Sequence, residues 1–221
     1  MKIVPALLSE KFEDFAVRLK QAESFADYVQ VDIMDGLFVP TKSFPPGELN
    51  RIETSLPFEI HMMVDDPITC LNQVRNRRLK RAIFHFESKA AFPDFLDAAK
   101  KRGVEPGMAI NPRTEFCDFE KAAEQIPALT FLTVEPGRYG SPFRPEVLKK
   151  ISETRAAFPD KVISVDGGVS LDNLQDFLEI GVDYVCIGSR IFLKGRPEEN
   201  YRMFVARLSE LEALAARSRK A

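Results

Sequence analysis

Cysteine is scarce: three in 221 residues, Cys70, Cys117 and Cys186, all far apart. No CxxC pair or zinc-ligand spacing occurs, and an odd, scattered set argues against a disulfide framework. No run reaches 18 apolar residues, so no membrane span is expected. The N-terminal stretch "MKIVPALLSEKFEDF" has one basic residue before a short apolar run cut by Pro5, and acidic residues follow. It does not read as a secretory signal. A dominant charge is missing too. With 31 basic and 33 acidic residues the net charge is -2, which gives no general pull toward nucleic acid or an anionic membrane. Linkers, composition shifts and low-complexity segments are also lacking. These absences lead us to expect one cytoplasmic domain with neither nucleic-acid nor membrane partners.

The chain does contain a regular alternation. Hydrophobic residues make up 45% and charged residues 29%, as in an ordinary globular protein with a substantial core. Short apolar runs recur at 2–8, 28–34, 58–64, 81–86, 104–110, 129–135, 161–166 and 183–188. Such runs fit strands buried on both faces. Between most of them lie stretches with apolar residues at three- and four-residue spacing, as on surface helices. The weakest helical segments are 45–55 and 170–180. A long helix is expected over about 197–218.

Eight strands alternating with about eight helices imply parallel strands and right-handed crossovers. The count and length predict an α/β fold, a single-domain (β/α)8 TIM barrel spanning 1–221. A doubly wound sheet usually carries a glycine-rich fingerprint after its first strand, and "PALLSEKF" has none.

In such a barrel the chemistry lies at the C-terminal ends of the strands. Polar residues at those ends are Gln30, Asp32 and Asp35; His61; His85 and Glu87; Asn111; Thr133 and Glu135; and Asp166. Asp32, His61 and Asp166 come from three strands at similar heights. Two carboxylates and an imidazole there suit a divalent metal, or a general acid and base on opposite sides of a substrate. Gln30 shares the face of Asp32, because side chains two apart on a strand point the same way. Two glycine-rich turns, "VDGGVS" (165–170) and "CIGSRIF" (186–192), follow the last two strands. Turns at that place often build a phosphate site.

The motifs "VDIMDGLFVP", "HMMV", "FHFE", "LTVEPG", "SVDGGV" and "IGSRIF", in this order over about residues 3–205, resemble the ribulose-phosphate 3-epimerase family. The resemblance implies a ribulose-phosphate-binding barrel that inverts the C3 carbinol of a ketose 5-phosphate. It implies Asp32 and Asp166 as the two acid/base residues, and Asp32, His61 and Asp166 as ligands of a divalent metal such as zinc, iron, manganese, cobalt or magnesium. Met34 and Met63 would lie against the enediolate. Gly167, Gly168, Val169, Gly188 and Ser189 would cradle the phosphate, and the loop of Gly137, Gly140 and Ser141 would cover the substrate. A homo-oligomer is expected on the same ground.

Three places depart from the family pattern. Gln30 stands where the family supplies a histidine as fourth metal ligand. An amide oxygen is a weaker partner for zinc than an imidazole, so the metal should bind weakly, shift toward Mg²⁺ or Mn²⁺, or be absent. Ala6 replaces a serine near the reacting centre. The family's "PGFGGQ" reads "PGRYGS" (136–141), with Arg138, Tyr139 and Ser141 as the new residues. The first expectation is a D-ribulose 5-phosphate/D-xylulose 5-phosphate 3-epimerase. The departures also admit a 3-epimerase of a related ketose phosphate, such as a hexulose 6-phosphate, or a barrel that binds a sugar phosphate without catalysing.

Overall fold

The structure is a computed structural model that describes residues 1–89, 92–137 and 140–218. Strands β1 (Lys2–Leu7), β2 (Val29–Met34), β3 (Phe58–Met63), β4 (Leu79–His85), β5 (Glu105–Ile110), β6 (Ala128–Leu132), β7 (Val162–Asp166) and β8 (Tyr184–Ile187) close into a barrel in chain order. Each pairs in parallel with its neighbours, and β1 closes on β8. Helices α1 (Phe12–Ala22), α2 (Pro67–Gln73), α3 (Phe92–Lys101), α4 (Phe116–Ala123), α5 (Val147–Ala157), α6 (Leu174–Ile180), the short α7 (Ser189–Phe192) and α8 (Pro197–Ser218) alternate with the strands. The unit after β2 departs from expectation. Residues Pro46–Arg51 form a 3₁₀ turn rather than an α-helix. Pro45, which precedes Pro46, is held extended (ψ 136°), and Gly47 near the start has low helix propensity, so the segment closes only a short turn.

The main core lies between the outer face of the sheet and the helices. Phe15, Phe58, Phe84, Phe95, Phe119, Phe131 and Phe177 are fully buried there. Phe84 of β4 meets Phe95 of α3 at 4.4 Å between ring centroids, and Phe119 of α4 meets Phe131 of β6 at 5.9 Å. Each such side chain is worth roughly 1.5–3 kcal/mol of burial. In α5 the buried positions are Val147, Lys150, Ile151 and Thr154, spaced as one helical face. Lys150 sits on that face because its ammonium donates to the carbonyls of Asn111, Pro112 and Thr114, which anchors the loop after β5.

Inside the barrel the packing changes character. Towards the N-terminal ends of the strands, Glu59 accepts from Arg81 Nη1 (3.1 Å) and from the Tyr28 hydroxyl (3.3 Å), and Arg81 Nε donates to Glu105 (2.6 Å). This satisfied ionic plug lies below small apolar layers such as Val4, Ala6 and Cys186. The polar groups towards the other end form the site.

Candidate active site

The ladder registers Asp32 opposite His61 and Leu132 opposite Asp166. Gln30 lies two residues before Asp32, one pleat deeper and fully buried. Its Nε2 donates to Asp32 Oδ1 at 2.9 Å and to Asp166 Oδ2 at 2.8 Å. His61 Nδ1 lies 3.0 Å from Asp166 Oδ2 and 3.3 Å from Asp32 Oδ1, between the two oxygens and aligned with neither. Two carboxylates from strands three apart around the barrel are thus gathered by one amide and one imidazole.

The cluster continues outward. His61 Nε2 is 2.9 Å from His85 Nε2, so one ring donates and the other accepts. His85 Nδ1 lies 3.4 Å from Glu87 Oε2, and Glu87 Oε1 accepts from the Asn111 amide at 2.9 Å and from the Thr114 hydroxyl. Phe38 covers the His85 ring at 4.7 Å.

Burial pushes the Asp32 carboxyl above its usual range, against the pull of His61. Burial would lower His61, but contact with Asp166 and then Asp32 outweighs it and holds the imidazole at about 10. Burial lowers His85 to about 4, with Glu87 opposing. Of two rings sharing one proton, the one facing the carboxylates carries the charge and the other stays neutral.

Above the cluster opens a cavity of about 540 Å³. Asp32, His61, Asp166 and Met63 line its floor, with Ala6 and Leu8 of β1 and the residue after it. Its far side is built from Gly167, Gly168 and Val169 after β7 and from Gly188 and Ser189 after β8. Gly167 and Gly168 have φ of 93° and 62°. A Cβ on Gly167 would stand 2.3 Å from Val134 Cγ2, and one on Gly168 would stand 3.0 Å from the Phe143 Cα. Only glycine makes this turn against those neighbours. Asn173 holds the turn, donating to the Gly168 carbonyl (3.0 Å) and accepting from the Ser170 amide (2.7 Å). Consecutive amides in such turns form anion-binding concavities.

This arrangement sits in a recognisable lineage. The model of the "Ribulose-phosphate 3 epimerase family" matches residues 2–192. The chain belongs to the ribulose-phosphate 3-epimerase family. The ribulose-phosphate 3-epimerase of Methanocaldococcus jannaschii is 31% identical over 222 residues, covering 97% of this chain and 93% of that one. That of Schizosaccharomyces pombe is 28% identical over 204 residues, covering 90% of each. Among solved structures, a 3-hexulose-6-phosphate synthase superposes with a TM-score of 0.70 at 12% identity, covering 94% of this chain and 99% of that one. An orotidine 5'-phosphate decarboxylase from Pyrococcus horikoshii OT3 gives 0.66 at 15%, with the same coverage. At these identities the structural matches speak for the barrel alone.

Against the family motifs, Asp32, His61, Asp166, Met63, Gly137, Gly140, Ser141, Gly167, Gly168, Val169, Gly188 and Ser189 all line the cavity. Two expected residues do not. Met34 packs beside it in a buried cluster with Leu8, Val39 and Met63. Gln30 lies beneath the floor and reaches the carboxylates from below. Arg138 and Tyr139 lie outside the described residues. Sequence reading placed His85 and Glu87 at a strand end without giving them a role. The structure joins them to His61, a link that only the β3–β4 register reveals. Arg190 also lines the cavity next to Ser189, and its place within "IGSRIF" is the signal in the sequence that could have found it.

Proposed function

We propose that the protein is a ketose-phosphate 3-epimerase that interconverts D-ribulose 5-phosphate and D-xylulose 5-phosphate. The observation that carries this reading is the pair Asp32 and Asp166, gathered on one amide at the floor of a cavity whose far wall is a glycine-built cup. Membership of the family supports the same chemistry.

The C3 proton of the ketose is acidified by the C2 carbonyl. One carboxylate removes it from one face, and the C3–H electron pair moves into the carbonyl to give a cis-enediolate. The other residue, as the carboxylic acid, returns a proton to the opposite face and inverts C3. The reverse reaction exchanges the roles. A general base works best when its pKa approaches the working pH, and burial moves Asp32 in that direction. Gln30 and His61 fix the positions of both carboxylates without taking part in proton transfer to carbon. Met63, with Met34 and Leu8 packed against it, keeps the floor apolar where an enediolate must be shielded from water. Gly167, Gly168, Val169, Gly188 and Ser189 receive the phosphate, and Gly137, Gly140 and Ser141 border the substrate on the loop side.

The residues present also fit a divalent cation. Asp32, His61 and Asp166 each offer one donor atom, all within 4.8 Å of one another. Gln30 Oε1 is buried without a hydrogen-bond partner, and turning its amide over exchanges oxygen for nitrogen at the carboxylates. Asp32, His61, Asp166 and the turned Gln30 would hold the ion. When bound it would polarise the substrate oxygens and spread the enediolate charge. Three oxygens and one nitrogen favour harder ions than an imidazole-rich set does.

The test is turnover of D-ribulose 5-phosphate with Zn²⁺, Mn²⁺, Fe²⁺ or Mg²⁺ supplied. The wild type is expected to form D-xylulose 5-phosphate. Asp32→Asn and Asp166→Asn, each properly folded, should each lose at least about a thousandfold in kcat. Full activity in either variant would remove that residue from proton transfer.

A further inference from the structure

The cavity is electrically lopsided. Its floor carries Asp32 and Asp166, and among its described lining residues one side chain of fixed positive charge stands beside the cup, Arg190. Arg190 follows Ser189 and is exposed. No hydrogen bond, ion pair or ring contact joins it to any described residue. The acids of the following segment are taken: Glu198 pairs with Arg202 (2.6 Å) and Glu199 with Arg196 (2.8 Å). Arg190 also lines a neighbouring cavity of about 410 Å³, which shares Gly140 and Ser189 with the first and adds Lys194. Arg190 thus lines the cavity beside the glycine turns with its side chain uncommitted among the described residues, and Lys194 lines the adjoining cavity.

We propose that Arg190 is a specificity-determining residue that clamps the phosphate monoester dianion of the ligand seated at Gly167–Val169 and Gly188–Ser189. The proposal rests on the sugar-phosphate reading above and adds a side chain to a cup otherwise made of main-chain amides and a serine. Amides meet a dianion with partial charges. A guanidinium adds a full charge and two parallel donors that match a phosphate edge. The acidic floor repels the same group. The two ends together orient the ligand, with its phosphate at Arg190 and its reacting carbon at the carboxylates. A pocket so polarised selects phosphorylated sugars over free sugars by charge as well as by shape.

Two measurements on the whole protein separate this proposal from the epimerase reading. The first needs no turnover: inorganic phosphate is titrated against wild type, Arg190→Ala and Arg190→Lys and followed by phosphorus NMR, with melting temperatures confirming equal folding. Arg190→Ala should bind phosphate about tenfold more weakly and with a shallower dependence on ionic strength, and Arg190→Lys should recover part of the loss. The second is steady-state kinetics. In Arg190→Ala, kcat/KM for D-ribulose 5-phosphate should fall about tenfold, chiefly through KM, and the preference for it over D-ribulose should narrow. Equal phosphate affinity and equal KM in wild type and Arg190→Ala would overturn the proposal while leaving a working epimerase intact. A wild type that binds no phosphate would overturn it as well. Arg190-dependent phosphate binding without any turnover would uphold the anion clamp and sink the epimerase reading instead.

Discussion

At residue 30 a neutral amide does the work of holding two acids together. Gln30 Nε2 donates to Asp32 and Asp166 within 0.1 Å of the same length, 2.9 and 2.8 Å. Two carboxylates so close would otherwise repel, and burial would worsen the cost. His61 supplies the balancing charge from the same side. The amide can instead present its oxygen to a cation, but an imidazole is the better zinc ligand. Gln30→His is therefore expected to bind zinc at least about tenfold more tightly, as read by competition with a chelator of known affinity. Unchanged zinc affinity in a folded Gln30→His protein would place residue 30 outside the metal shell. Sequence reading identified this position as an oddity, since a Gln on an apolar strand is conspicuous. It could not tell that the amide bridges both acids, because that depends on the closure of β7 and β8 back onto β1 and β2. The His61–His85 contact was hidden because it depends on the register of β3 against β4.

At the scale of elements, the turns after β7 and β8 build the glycine-rich far wall of the cavity. Gly167 and Gly140 make a useful contrast. Both have positive φ, 93° and 76°, but a Cβ on Gly167 meets Val134 at 2.3 Å while one on Gly140 meets nothing within 4 Å. Gly140→Ala should cost about 1 kcal/mol, the price of the backbone conformation alone. Gly167→Ala should cost more, roughly 2–4 kcal/mol, and should weaken phosphate binding as the cup shifts. Equal destabilisation in urea unfolding would show that the Val134 contact relaxes freely. The strands themselves were legible as apolar runs, because parallel strands are buried on both faces and lack the alternation that blurs other assignments. The errors have local causes. The sixth apolar run extends to residue 135, yet β6 ends at Leu132. Thr133 leaves the regular strand and ties the following loop to β7, its amide donating to the Asp166 carbonyl at 2.9 Å and its hydroxyl donating to Gly167. The 45–55 segment was the weakest helix in the sequence and became a 3₁₀ turn at its proline-rich start.

At the scale of the whole molecule, closure of the barrel brings residues 32, 61, 166 and 188 to one mouth although they span most of the chain. The opposite end carries the Glu59–Arg81–Glu105 ion pairs. No described helix is long and apolar enough to cross a membrane. With a net charge of -2 no global field would draw an anion, so the proposed selection of a phosphate would come from the pocket's own polarity. The central claim is a proton removed from C3 on one face and returned on the other. It is tested most directly by running D-ribulose 5-phosphate with the purified protein and a divalent metal in D₂O, and reading the product by NMR. The account predicts D-xylulose 5-phosphate carrying solvent deuterium at C3. Recovery of unchanged ketose phosphate with its C3 proton intact, under every metal supplied, would contradict it.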